Sequence, residues 1–205
     1  MKDMIKNSLI LFVITLVAGF SLGSVYDITK APRAKQEKLA TDRAYKEVFA
    51  DASKFDEKKV NTKKMNKFIA DEGVKTSQAE IETVVEAKDN SGKLLGYVFT
   101  VVSKEGYGGD IKFTMGVDND GKLGGISILS INETAGLGMQ ANTDGFKKQF
   151  KGKQVESITY SKTGATKDNE IDAISGATIT TSTMTNGVNA GLYCFKYLAG
   201  GKANE

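Results

Sequence analysis

The sequence predicts an α+β chain, in which a single N-terminal transmembrane helix is followed by a mainly antiparallel sheet packed with helices. Three observations predict it. The run Asn7–Tyr26 carries no charge and is bounded by Lys6 and Asp27. Between Ile81 and Ile131, strand-like segments are joined by turn sequences of hairpin length, which favours antiparallel pairing. The last long segment, about Thr180–Leu198, sets Met184, Val188, Leu192, Phe195 and Ala199 on one face at helical spacing.

The apolar run comes first. Its core, Leu9–Phe20, reads Leu-Ile-Leu-Phe-Val-Ile-Thr-Leu-Val-Ala-Gly-Phe. Helical residues rising about 1.5 Å each make Asn7–Tyr26 roughly 30 Å long, the thickness of a hydrocarbon core. Lys2 and Lys6 would also suit the start of a cleaved signal peptide. Gly23-Ser24-Val25 is a poor cleavage site, so a retained anchor is favoured and residues 1–26 are read as a cytoplasmic tip plus anchor. Lys30, Arg33, Lys35 and Lys38 follow the span, and a bare charge count puts the long part in the cytoplasm. Long domains translocate largely regardless of charge, so the count carries little weight.

The segment 27–78 reads as helical and linker-like. Ala34–Ala52 is a predicted helix, with Tyr45, Val48, Phe49 and Ala52 at i, i+3, i+4 and i+7. Ser53–Gln78 is polar and Lys-rich, with a short helix around Met65–Ala70. Ile81–Ala87 is β-like, Asp89–Gly92 a turn, and Leu94–Ser103 a buried strand. Gly106–Gly109 is a loop, Ile111–Val117 a strand, Asp118–Gly121 a hairpin turn, and Leu123–Ile131 a strand. The Asp-x-Asp-Gly run lacks the rest of a calcium loop, including its closing Glu. Asp144–Phe150 reads as a short helix and Val155–Tyr160 as a further strand of the sheet.

Composition narrows the chemistry. The chain has 205 residues, no His, one Cys and a net charge of +3. The missing His removes His-based triads and His metal sites. Cys194 alone cannot form an intramolecular disulfide or a Cys-ligated cluster; a small buried apolar role is favoured over a reactive thiol. No Lys/Arg cluster is interleaved with aromatics, which sets nucleic acid aside. No residue is assigned as catalytic or as a metal ligand. With 22 Gly and 1 Pro, and few acid–base groups, the chain is better suited to holding a cofactor than to hydrolysis.

The sharpest local feature is Asp172-Ala173-Ile174-Ser175-Gly176-Ala177-Thr178, followed by Ile179-Thr180-Thr181-Ser182-Thr183. It reads as a small-residue loop opening into a helix, with Thr178 near the N-cap and the next N–H groups as orphan donors. Such an end suits phosphate, and Gly176 with Ala177 lets a bulky group approach the backbone. An ordinary Thr cap fits the same residues.

Asp-x-x-Ser-Gly-Ala-Thr also resembles the signature at which a flavin transferase attaches FMN through a phosphoester bond. Gly106-Tyr107-Gly108-Gly109 resembles the glycine-rich loop of that family, and Ile128–Gly138 resembles its Glu-Thr-Pro-Gly-Leu-Gly segment. With the single span, the chain is similar to the FMN-binding domain family that holds the G subunit of the Rnf complex. The C subunit of sodium-translocating NADH:quinone reductase is a related member. Chain length favours the Rnf subunit. Ala135 stands where Pro is usual, so that loop is less pre-set in φ, and Ile131 stands where many relatives have His, which removes a polar or titrating group.

The resemblance implies covalent FMN on Thr178, with Asp172, Ser175, Gly176 and Ala177 as the attachment signature. It implies that residues 79–205 are the covalent-FMN-binding domain. Cofactor contacts are expected from Tyr107, Gly108, Gly109, Glu133, Thr134, Gly136, Leu137 and Thr181, with backbone N–H groups easing negative charge on the reduced ring. The partners implied are the other membrane subunits of an Rnf-type complex and a flavin transferase. The chain would be a single-pass cell-membrane protein with its flavin domain extracytoplasmic, relaying electrons from ferredoxin towards NAD in a complex that moves Na⁺ or H⁺. The alternatives are the quinone-reductase subunit, a stand-alone extracytoplasmic flavin carrier, and a non-redox tethered binding domain whose Ser-Gly-Ala-Thr loop is structural.

Overall fold

A computed structural model describes residues 1–200; the end of the expected 79–205 domain, residues 201–205, lies outside the described residues. The chain forms two compact units, Met1–Ala40 and a second from Thr41 onward.

The first unit is helical throughout, part of α1 (Lys2–Val48). Its most apolar 18-residue stretch has a mean hydropathy of 2.2 and no buried residue, so by length and composition it can cross a membrane. Three hydroxyls of the first unit bond back to their own helix. The Thr15 hydroxyl donates to the Leu11 carbonyl at 3.0 Å, Ser24 to Phe20 at 2.9 Å and Thr29 to Val25 at 2.7 Å. The helix expected to begin afresh at Ala34 is instead continuous through Pro32, and it ends at Val48 rather than Ala52.

In the second unit, five strands form an antiparallel sheet in sequential order: β1 (Lys54–Glu57), β2 (Ala79–Lys88), β3 (Leu94–Ser103), β4 (Ile111–Asp118) and β5 (Leu123–Ser130). Both expected hairpin turns are present. In each, an Asp carboxylate accepts the N–H groups that close the turn: Asp89 from Ser91 at 2.8 Å, and Asp118 from Asp120 at 3.0 Å.

The central strand explains its own unbroken apolar run, because it is covered on both faces. Phe99 and Val101 enter the main core with Ile111, Phe113, Met115 and the C-terminal helix α4 (Thr178–Ala199). Val98 enters a smaller core with Tyr45, Val48, Ala52, Val85 and Ala87. Burying Phe99 alone contributes about 1.5–3 kcal/mol. Gly187 and Gly191 let α4 lie close on the sheet; a Cβ on Gly187 would come within 2.8 Å of the Phe113 ring.

Two expectations are corrected. Within Ser53–Gln78 the expected short helix is present as α2 (Thr62–Asp71), which buries Met65 and Ile69 against α4, but the stretch also holds β1, which extends the sheet and was not expected. The start of α2 is capped by the Asn61 side chain, which accepts the Lys64 N–H at 3.2 Å. As a charged edge strand, Lys-Phe-Asp-Glu shows no apolar alternation. Val155–Tyr160 does not join the main sheet. The strand here, β6 (Thr159–Ser161), pairs in parallel with β7 (Glu170–Asp172) in a separate two-stranded sheet. The physical reason lies in the Asn189 side chain on α4. Its Oδ1 accepts the Ile158 N–H at 2.6 Å and its Nδ2 donates to the Ile158 carbonyl at 2.9 Å, so a side-chain amide takes the place of a neighbouring strand.

Candidate functional site

Three loops meet where α4 begins. The first, Gly106–Gly109, joins β3 to β4; it turns on a Gly109 N–H to Gly106 carbonyl bond of 3.2 Å, with Gly109 at φ +114°. The second follows β5. Here the Thr134 carbonyl accepts the N–H groups of Leu137 at 3.1 Å and Met139 at 3.2 Å, and Gly136 sits at φ +76°. The Glu133 carboxylate ties the two loops together, its Oε1 accepting the Gly108 N–H at 3.3 Å.

The third loop is the signature itself. The Asp172 carboxylate accepts the Ala165 N–H at 2.5 Å, and its own N–H donates to Gln149 Oε1 at 2.6 Å. Ala177 N–H turns back to the Ile174 carbonyl at 3.0 Å, with Gly176 at φ +74°. The N-cap of α4 is Ala177, with no side-chain cap, so Thr178 is the first helical residue rather than the cap. The first α-type bond runs from Thr181 N–H to the Ala177 carbonyl. The N–H groups of Thr178, Ile179 and Thr180 therefore have no acceptor within the helix, as an anion site requires.

These loops enclose a cavity of about 530 Å³, within the range of small-molecule sites. Tyr107 lines it from the first loop, Glu133, Thr134, Leu137 and Gly138 from the second, and Gly176–Thr180 from the third. Tyr107, Leu137 and Ile179 are the only large apolar side chains exposed beyond Thr41 among the described residues, and all three belong to this lining. A smaller hollow of about 270 Å³, lined by Glu105, Tyr160, Ser182 and Thr183, shares Thr178 and Ile179 with the cavity. A cleft of about 550 Å³ lies elsewhere, among residues 47–51, 93–95, 118–124 and 151–152, and shares no residue with the three loops.

Of the expected residues, Tyr107, Glu133, Thr134, Leu137, Gly176, Ala177 and Thr178 come together on the cavity. Gly108, Gly109 and Gly136 shape the loops behind it, and Ser175 is exposed on the signature loop without lining it. Asp172 anchors the loop from outside. Thr181, expected as a cofactor contact, is fully buried, and its hydroxyl accepts the Ile174 N–H and donates to the Ala177 carbonyl, both at 3.0 Å. Gly138, the last Gly of the Ile128–Gly138 motif, lines the cavity too, while Ile179 and Thr180 are lining residues that the sequence by itself does not single out. An apolar Ile inside a Thr-rich first turn was the available signal for one of them.

Comparison with known proteins gives this geometry a family. An RnfG N-terminal region profile matches residues 1–48, and an FMN-binding domain profile matches residues 106–193. The chain is 34% identical, over 98% of its length and 99% of the other, to the G subunit of the proton-translocating ferredoxin:NAD(+) oxidoreductase complex of Clostridium ljungdahlii. The chain belongs to the G-subunit family of these complexes. The Na(+)-translocating counterpart from Acetobacterium woodii is 32% identical over 97% of this chain and 94% of its own. Among solved structures, NqrC of Shewanella oneidensis matches with a TM-score of 0.49 at 22% identity, covering 60% of this chain and 61% of that one. The three loops all fall inside the FMN-binding match, whereas half of the residues lining the 550 Å³ cleft fall outside it.

Proposed function

We propose that this chain is a membrane-anchored electron-transfer subunit of an ion-translocating ferredoxin:NAD oxidoreductase complex, with FMN esterified through its phosphate to Thr178. One observation carries the reading: Thr178 alone among the hydroxyl residues opening α4 both lines the 530 Å³ cavity and remains partly exposed. Thr180, Thr181 and Thr183 are buried, and Ser182 faces only the smaller hollow.

The residues present fit FMN. The unpaired N–H groups of the first turn of α4 and its dipole suit a phosphate. Gly138, Gly176 and Ala177 leave room beside the backbone, and Tyr107, Leu137 and Ile179 offer apolar surface to a flat ring. When bound, the flavin supplies a centre that takes up and passes on electrons. In maturation, Thr178 Oγ1 bonds to the FMN phosphorus of FAD while the pyrophosphate bond breaks; AMP leaves with the electron pair and the hydroxyl proton is released to a flavin transferase. The apolar first unit anchors the chain in the cell membrane beside the other membrane subunits, an anchoring that the hydropathy of α1 and the match of residues 1–48 support; the extracytoplasmic position of the flavin domain rests on the family resemblance alone.

The full chain co-expressed with a flavin transferase tests the reading. It should stay in the membrane fraction through an alkaline wash, run as a fluorescent band after denaturation, and give a Thr178 peptide heavier by FMN. Protease added outside spheroplasts should reach the domain. A colourless denatured band, or flavin on another residue, contradicts the assignment.

A further inference from the structure

Among the described residues Glu133 is the only charged one lining the cavity, and no Lys or Arg lines it. Among the described residues, Glu47, Glu72, Glu80, Glu82, Glu86 and Glu170 form ion pairs, and Glu133 does not. Its Oε1 is taken by the Gly108 N–H, one of the donors expected to face the ring. Its Oε2 is buried with no hydrogen-bond partner. That oxygen sits against Gly138. A Cβ there would strike Oε2 and come within 2.8 Å of Glu133 Cβ and 2.6 Å of Thr180 Oγ1. The carboxylate therefore packs against the bare Gly138 backbone, and both residues belong to the cavity lining. Water does not reach Oε2, so its field is poorly screened in the cavity.

We infer that Glu133 sets the reduction potential of the bound flavin, as a carboxylate in the cavity lining beside Gly138 whose negative charge opposes the arrival of electrons on the ring. The inference rests on the flavin reading above. Adding electrons places negative charge on or near the ring, and a close carboxylate with no balancing cation raises the free energy of that state. The oxidised form then binds more tightly than the reduced one, and the potential falls below that of free FMN. This reverses the expectation that N–H donors of these loops ease negative charge on the reduced ring.

The test is a spectroelectrochemical titration of the full chain in detergent, loaded by a co-expressed flavin transferase, against free FMN in the same buffer. The wild type should favour oxidised over reduced flavin at least tenfold, a drop of about 30 mV for a two-electron couple. Glu133→Gln should recover that tenfold. Gln keeps an oxygen for the Gly108 N–H, so a purely structural role would leave the potential where it was. Glu133→Asp keeps the charge and should hold the low potential. A wild-type potential at or above that of free FMN overturns the inference without any variant, as does a Gln variant within threefold of wild type. If the wild-type chain carries no flavin at all, the functional reading falls and takes this with it; flavin present at an unshifted potential sinks this inference alone.

Discussion

The Thr181 hydroxyl accepts the Ile174 N–H at 3.0 Å, and this bond closes the signature loop onto the helix it opens. The same hydroxyl donates to the Ala177 carbonyl at 3.0 Å, so one buried side chain serves two backbone groups of the loop. Gly176 and Ala177 are held between those two points. The position of Thr178 thus depends on a residue that never reaches the cavity.

Thr181→Val keeps the volume and removes both bonds. The Ile174 N–H is left buried and unpaired, which costs about 1–3 kcal/mol. Urea unfolding of the second unit should shift by that amount, and covalent flavin loading should fall although Thr178 is unchanged. Undiminished stability with full loading would show that the loop does not need the Thr181 hydroxyl.

Gly138→Ala and Gly136→Ala should fail for different reasons. The Gly138 methyl would enter the space of Glu133 and Thr180, so overpacking of about 1–3 kcal/mol and loss of flavin loading are expected. Nothing lies within 4 Å of a Cβ on Gly136, but its φ of +76° costs an L-residue about 1–2 kcal/mol. Gly136→Ala should therefore lose stability while keeping more of its flavin. Comparing melting temperature with absorbance per chain separates the two.

Cys194 is fully buried, and burial pushes its thiol well above the usual range. Iodoacetamide should leave the folded chain unmodified and label it only as urea unfolds the second unit. Rapid labelling without denaturant would show that α4 separates easily from α2, whose Met65 Sδ lies 3.4 Å from the thiol.

Glu86 on β2 ties in the residue that follows β1, Lys58, and this tie is lost in acid. Hydrogen bonds from Lys58 at 2.8 Å and Lys88 at 2.9 Å hold its carboxyl below the usual glutamate value. A lowered folded pKa contributes stability above the unfolded value of about 4.3, lost as pH falls through the folded one. Glu86→Gln should lose stability at neutral pH and show a flatter decline on its acid limb. Parallel limbs for the two proteins would exclude this contribution.

How much of this was legible in the sequence depended on whether the controlling interaction was local. The Asp–Gly turns and the doubly buried β3 run depend on spacing along the chain and appear where expected; on α4, Met184, Val188 and Leu192 are buried as the spacing implies, while Phe195 is half-buried and Ala199 exposed. The interactions that decided the rest join distant residues. Nothing near Ile158 shows that Asn189 will hold both of its backbone groups, so Val155–Tyr160 read as sheet. Nothing near Thr181 shows that its hydroxyl faces the loop rather than a ligand. The site was legible at Thr178, Gly176 and Leu137, where small-residue patterning and family motifs coincide. Thr180 became visible as a lining residue only once the loops were placed side by side.

Thr178→Ala should abolish covalent flavin with almost no change in stability. Ala177 occupies the N-cap without a side-chain bond, so the Thr178 hydroxyl has no capping role to lose. A partly exposed substitution of this kind changes stability by about 0.5 kcal/mol or less. The competing hydroxyls are ruled out by burial rather than by sequence: Thr180 and Thr183 are 1% exposed and Thr181 is 0% exposed. Ser175 is exposed but lies on the signature loop outside the cavity, and Ser182 opens onto the smaller hollow. Thr178→Ser restores the hydroxyl at the first helical position and should restore attachment, since no methyl contact is needed for ester formation. Mass spectrometry of the peptide spanning residues 168–196 reads all three proteins at once. FMN should appear on wild type and the Ser variant and be absent from the Ala variant. Its transfer to Ser175 or Ser182 in the Ala variant would mean that the transferase selects the loop and not the cavity-facing hydroxyl.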